Sequence, residues 1–244
     1  MTAVFVHGVP ETGALWNSLR SWLRVPSIAL DLPGFGAPRP EGFGATKDDY
    51  AEWLAGELRR IGEPVDLVGH DWGAALVGRV ATAYDVPLRS WAVDLVEGAH
   101  EDYAWHDLAR VWQTPGDGER QVAATLADGA GLVESTTGLG MRRADAEVLR
   151  SAYSETMGRS ILDLYRSALP NVAADWGDGF TRPTAAPGLI VLAGGDPFGD
   201  PPRSRELAAR LGARTAELPG LGHWWMSEDP GAGADLLQRF WSSL

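Results

Sequence analysis

The sequence predicts an α/β fold: a mostly parallel sheet of about six strands, covered by helices and interrupted by one helical insertion. Three observations carry this. Short hydrophobic runs alternate with helical periodicities along most of the chain, which implies parallel strands joined by crossover helices. The rhythm lapses once, between about 99 and 182, where helical patterns occur without a convincing strand. The chain has 244 residues, enough for one large domain with a sizeable core, and its 30 Gly and 16 Pro are spread between the periodic segments as many short loops require.

The elements follow in order. AVFV (3–6) is a short buried strand that stops at His7-Gly8-Val9-Pro10. Residues 14–24 have a helical pattern. SIAL (27–30) is a second strand, closed by the turn Asp31-Leu32-Pro33-Gly34-Phe35-Gly36. A helix starts at Thr46, with Thr and Asp at capping-box spacing in TKDD, and runs to about Ile61. PVDLVG (64–69) is the third strand, and a helix follows from about Trp72 to Tyr84. SWAVDLVEG (90–98), GLIVLAGG (188–195) and ARTAELPG (213–220) are the remaining strands. Helices are expected at 104–113, 118–127 and 144–168 within the insertion, then at 203–211 and 233–242. The expected division is a core of 1–98 and 183–244 with a helical lid at 99–182.

Composition excludes several classes. A formal net charge of −12, with no basic stretch, would repel a nucleic acid. Cys is absent, so no disulfide, thiolate nucleophile or Cys-ligated metal is possible. No signal-peptide pattern and no membrane-length apolar run occur, which gives the expectation of a soluble cytoplasmic protein. The His residues are scattered without a spacing such as HExxH, so neither a metal nor an organic cofactor is expected. A small-molecule substrate is the expected partner; the oligomeric state is not legible.

The stretch DLVGHDWGAAL (66–76) places Asp71 between a hydrophobic strand and a helix, with Gly69 and Gly73 two residues to either side. This is the pattern of a nucleophile elbow, where a strained turn lifts the central side chain above the sheet and only small neighbours fit. A carboxylate there needs no activating base and can attack saturated carbon to form an ester. The plainer reading is that Asp71 caps the helix. Hydrolysis of an ester would need a base and an oxyanion site. His223, in LPGLGHWWMSEDP, follows the last strand and is the candidate base, or else a packed loop histidine. Asp196, in LAGGDPF, would orient the imidazole, or simply form a turn. Glu97 is a rival acid and Asp94 a weaker one. The backbone N–H groups of Val9 and Trp72 are the candidate oxyanion donors.

HGVP near the start, GHDWGA, GGDPF and GLGHWW, in this order, resemble the α/β-hydrolase superfamily. The Asp at the elbow is similar to its epoxide hydrolase and haloalkane dehalogenase branch. The resemblance implies the nucleophile–acid–base set Asp71, Asp196 and His223 and a lid over the site. One departure is that the chain starts at the HGxP strand, which leaves the edge near 27–30 exposed or covered by a partner. In epoxide hydrolases, lid tyrosines donate to the departing oxygen, and Tyr165 in ILDLYRSALP matches one of them. The position of the other holds Leu108, so Tyr103, Tyr153 or His106 is expected to reach the site instead. In dehalogenases, Trp72 would bind the halide. Val9 replaces the second donor that several members carry as Asn, and Trp105, Trp112 and Trp176 are the substitutes. His7 is also expected near substrate. Epoxide hydrolysis is the first expectation, dehalogenation the second, and a non-hydrolytic binding or isomerising role a third.

Overall fold

The computed structural model describes residues 2–177 and 182–244. Six strands form one all-parallel sheet in the order β2-β1-β3-β4-β5-β6. The strands are β1 Thr2–Val6, β2 Ser27–Leu30, β3 Val65–Gly69, β4 Leu88–Val93, β5 Gly188–Ala193 and β6 Arg214–Leu218. Successive side chains of a strand point to opposite faces, and the two cores divide accordingly. Val4, Val6, Leu67, Val93 and Ile190 pack on one face; Ala3, Phe5, Val68, Ala92 and Leu189 pack on the other. The first face is covered by α2 (Lys47–Ile61), α3 (Trp72–Ala83) and α10 (Pro201–Leu211), the second by α1 (Asn17–Arg20), α11 (Trp225–Glu228) and α12 (Pro230–Ser242). Strand β2 is the sheet edge, and its Ile28 is 40% exposed.

Between β4 and β5 lie only helices among the described residues: α4 Asp107–Gln113, α5 Asp117–Ala127, α6 Gly129–Gly138, α7 Arg143–Ala152, α8 Glu155–Ser167 and α9 Ala173–Trp176. Residues 178–181 of the expected insertion lie outside the described residues.

Several expected boundaries shift, each for a local reason. The helix expected at 14–24 is a 3₁₀ turn at Gly13–Trp16 followed by one α turn ending at Arg20. There the Ser21 hydroxyl bonds back to Ser18 O, competing with the helix, and Arg20 reaches the Ser27 carbonyl. Strand β4 stops at Val93 rather than 98, because Leu95 adopts a left-handed conformation (φ 44°) and turns the chain into a 3₁₀ turn at Val96–Ala99. The helix expected over 144–168 is two. Tyr153 is extended, and Ser154 begins α8 by accepting the Met157 N–H. Helix α6 was not expected at all: GAGLVESTTG is rich in poor helix formers, yet Asp128 caps its first turn through Gly131 N.

Candidate active site

The elbow is built from β3, Asp71 and α3. Asp71 has φ 52° and ψ −120°, a positive φ that a non-glycine residue adopts only under strain. Its side chain makes no capping bond to α3, so the helix-cap reading does not hold. The flanking glycines are required by contact. A Cβ on Gly69 would lie 2.4 Å from the Gly73 carbonyl oxygen, and one on Gly73 would lie 2.4 Å from that of Val6. Gly8 is equally constrained: its Cβ would sit 2.5 Å from the Asp71 Cβ.

The carboxylate at this turn is held from β1's loop. Val9 N donates to Asp71 Oδ1 at 2.9 Å, and the Trp72 backbone N–H also favours the ionised form. One carboxylate oxygen, Oδ1, is thus anchored to the loop after β1. Burial pushes the Asp71 carboxyl above its ordinary range, although the charges of His223 and His70 oppose the shift.

His223 and Asp196 meet as expected from their strand ends, with Nδ1 3.0 Å from Oδ2. Burial works against the Asp196 charge, but the His223 contact outweighs it and holds the carboxyl below its ordinary range. A proton on Nδ1 leaves Nε2 as the basic nitrogen. Glu97 does not join this pair. Its Oε1 accepts from Asp200 N at 2.9 Å and from the Ser204 hydroxyl, at the start of α10. Asp94 is also occupied, by His70 Nδ1 at 2.7 Å, Trp225 Nε1 at 2.7 Å and Asp71 N at 3.0 Å.

Beneath Asp71 lies an ionic chain that the sequence did not disclose. His70 is fully buried between Asp94 and Glu11, and its Nε2 is 3.4 Å from Glu11 Oε1. Burial opposes its charge, but the two carboxylates outweigh it and hold His70 as an imidazolium. Burial likewise opposes the Glu11 charge, yet His70 brings that carboxyl down to about 2. Glu11 Oε2 accepts from Gly8 N at 2.8 Å and Oε1 from Trp224 Nε1 at 2.5 Å, so the acid also braces the HGVP loop. Ligand atoms of Glu11, His70 and His223 come within 4.8 Å of one another, a spacing that could hold a cation. The same geometry brings Glu11 and His70 into an ion pair, with His70 Nε2 3.4 Å from Glu11 Oε1. The signal was present in the sequence as Glu11 directly after HGVP and His70 directly before Asp71, but neither side chain shows its direction there.

A cavity of about 500 Å³ opens above Asp71. Tyr103, Trp105, His106, Trp112, Tyr153 and Tyr165 all line it, together with Leu108. His7 does not. It is fully buried, with Nδ1 bonded to Gly8 O and Nε2 accepting from Leu32 N, and burial keeps it neutral; it fixes the loop rather than meeting substrate. Burial, and then the nearby Asp71 carboxylate, push the Tyr165 phenol well above its ordinary range. The same two causes raise Tyr103. Tyr153 is pushed up to about 12 by burial, while a Thr125 hydrogen bond opposes the shift; Asp71 does not act on it. His106 caps α4 through Ala109 N. Of the candidate indole donors, Trp105 Nε1 is bonded to Ala168 O at 3.2 Å and Trp176 Nε1 to Asp48 at 2.7 Å, away from the cavity.

No helix among the described residues is long and apolar enough to cross a membrane. An epoxide hydrolase of Vigna radiata has a solved structure that matches with a TM-score of 0.81, 18% identity, and coverage of 100% of this chain and 91% of that one. A haloalkane dehalogenase of Bradyrhizobium elkanii matches at TM-score 0.75 and 20% identity, covering 100% and 91%. In sequence, "Epoxide hydrolase 2" of Siraitia grosvenorii is 40% identical over 84 residues, which is 30% of this chain and 25% of that protein. The chain spans about a quarter of the length of the curated relatives it matches. The family model described as "Alpha/beta hydrolase family" matches residues 3–236, nearly the whole chain, and the chain belongs to that family.

Proposed function

We propose that this α/β-fold hydrolase opens epoxides through a covalent ester on Asp71 and releases vicinal diols. The observation that carries the reading is the pair of phenols, Tyr165 and Tyr103, in the wall of the cavity where both are influenced by the Asp71 carboxylate. A phenol with a raised pKa keeps its proton and remains a donor at neutral pH. In the first step Asp71 Oδ2 attacks an epoxide carbon. The ring C–O bond breaks, and its electron pair goes to the oxygen, which takes a hydrogen bond or proton from Tyr165 and Tyr103. In the second, His223 Nε2 removes a proton from water as its oxygen adds to the ester carbonyl carbon. Charge builds on Oδ1, where the Val9 and Trp72 N–H groups receive it. Collapse regenerates the carboxylate and frees the diol, and the His223 proton returns to the phenolate or to solvent.

Dehalogenation uses the same nucleophile but needs N–H donors for the halide. Trp72 and Trp112 line the cavity and support that alternative. The engagement of Trp105 and Trp176 elsewhere, and the lack of a side-chain donor at Val9, weigh against it. A panel of epoxides, haloalkanes and esters, followed for diol, halide or acid, separates the readings. A single turnover in ¹⁸O-water should then leave label in the Asp71 peptide and unlabelled oxygen in the product. Label in the product alone would mean direct attack by water and would rule out the ester. No turnover of any class would favour a binding or isomerising role.

A further inference from the structure

The wall of the cavity has a one-sided charge. Among the described residues that line it there is no Lys and no Arg; the ionisable groups are Asp71, Glu97, Asp128, His106, His223 and the tyrosines. Burial and the neighbouring His223 keep His106 below its ordinary range, so it is neutral at pH 7. The imidazolium of His70 lies beneath the elbow, outside the lining, and is engaged by Asp94 and Glu11. Three arginines of the insertion that do not line the cavity are paired with acids: Arg166 with Glu119, Arg120 with Asp117, Arg110 with Asp107. Asp128, exposed at the junction of α5 and α6, puts a carboxylate on the rim. The rest of the wall near Asp71 is aromatic: Trp72 and Trp105 stack with ring centroids 5.6 Å apart, and Trp112 and Tyr103 line the cavity with them.

We infer that the cavity selects uncharged and cationic substrates and turns away those that carry a carboxylate, sulfate or phosphate. A buried anion must find a cation or several free N–H donors to offset its lost hydration; this wall holds no Lys or Arg, and the Val9 N–H is already taken by Asp71. An ammonium group meets a wall of aromatic rings and acidic side chains, both of which attract it. The overall charge of −12 adds repulsion of anions at a distance.

The inference rests on the proposed substrate site, and its test separates the two. Three epoxides with one carbon skeleton, ending in carboxylate, hydroxyl or ammonium, are compared by kcat/KM. Their three diols are compared by equilibrium binding, read from quenching of the tryptophans that line the cavity. The carboxylate members should be weaker than the hydroxyl members by on the order of 10²-fold in both measurements, and the ammonium members equal or better. Replacing the exposed rim residue Ser135 by Arg (S135R) should raise the carboxylate-to-hydroxyl ratio about 10-fold at low salt, with the gain shrinking as salt is added. Carboxylate and hydroxyl members within about twofold of each other would overturn the inference, as would a ratio that S135R leaves unmoved. If no epoxide is turned over but the diols bind in the expected order, the epoxide reading falls and the charge selectivity stands.

Discussion

At the scale of single residues, the proposed chemistry is divided among a nucleophile, a base with its acid, and two phenols. Asp71, His223 and Asp196 announce themselves because each lies at the C-terminal end of a strand, where an α/β sheet gathers its functional groups. The second phenol could not be chosen from the sequence, since Tyr103 and Tyr153 both occupy the insertion and only their coupling to Asp71 tells them apart. That difference is testable. Tyr165→Phe and Tyr103→Phe should each slow formation of the Asp71 ester, by ~10² for the better placed of the two. Hydrolysis of the ester should be little changed, and Tyr153→Phe should leave both steps near wild type. Stopped-flow tryptophan fluorescence resolves the two steps, and wild-type ester formation in both Tyr165→Phe and Tyr103→Phe would remove the phenols from the mechanism. Glu11 makes a second prediction, in stability. Its carboxyl is lowered from 4.5 to about 2 by the buried pair with His70, which corresponds to about 3 kcal/mol. For a depressed acid, this contribution is fully present above the unfolded value and is lost as pH falls toward 2. Glu11→Gln should therefore lower stability at pH 7 by a few kcal/mol and flatten the acid limb of the stability–pH profile. Urea unfolding of both proteins between pH 7 and pH 3 measures the difference, and parallel profiles would refute it.

At the scale of elements, the strand–turn–helix at 65–83 was legible because its demands are steric and local, so they are written in the residue types. Gly69 lets the start of α3 fold close over the end of β3, and Gly73 lets α3 approach β1. Helix α6 was illegible for the opposite reason. Its sequence favours no helix, and it forms because Val133 packs in the second core and Asp128 caps its first turn. The break between α7 and α8 turns on Ser154, whose capping role competes with a continuous amphipathic pattern on both sides. The elbow glycines differ in what they protect. Gly73→Ala drives a methyl into the Val6 and His7 carbonyls and should cost stability by about 1–3 kcal/mol or more, because backbone must move. Gly8→Ala meets the Asp71 side chain instead, so it should displace the proposed nucleophile and reduce kcat by more than its loss of stability explains. Thermal unfolding paired with kcat for each variant separates the two cases. A Gly8→Ala protein with wild-type kcat would show that the nucleophile tolerates the shift.

At the scale of the whole molecule, the order of strands and helices was readable from hydrophobic rhythm, while the way the insertion seats itself was not, since that depends on contacts far apart in sequence. The insertion is packed on both sides of the sheet. Trp105, Trp112, Ile161 and Tyr165 join the core that contains α2 and α3, and Val133, Met141 and Leu149 join the core that contains α12. Polar ties reinforce this. The buried Lys47 ammonium of α2 lies 3.1 Å from Asp48 and 3.2 Å from Asp175, Trp176 bonds to Asp48, and Arg39 pairs with Asp163. Removing the insertion would strip apolar cover from both cores and leave Lys47 with fewer partners. The segment 99–182 should therefore not melt as a separate unit, even though it forms the upper wall of the cavity. Calorimetry should show one transition whose van't Hoff and calorimetric enthalpies agree. Lys47→Met leaves Asp48 and Asp175 without their shared cation. It should lower that single transition rather than split it, and should speed amide exchange in α8 and α9 first. Two resolved transitions in the wild-type protein would show instead that the helices over the site fold independently of the sheet.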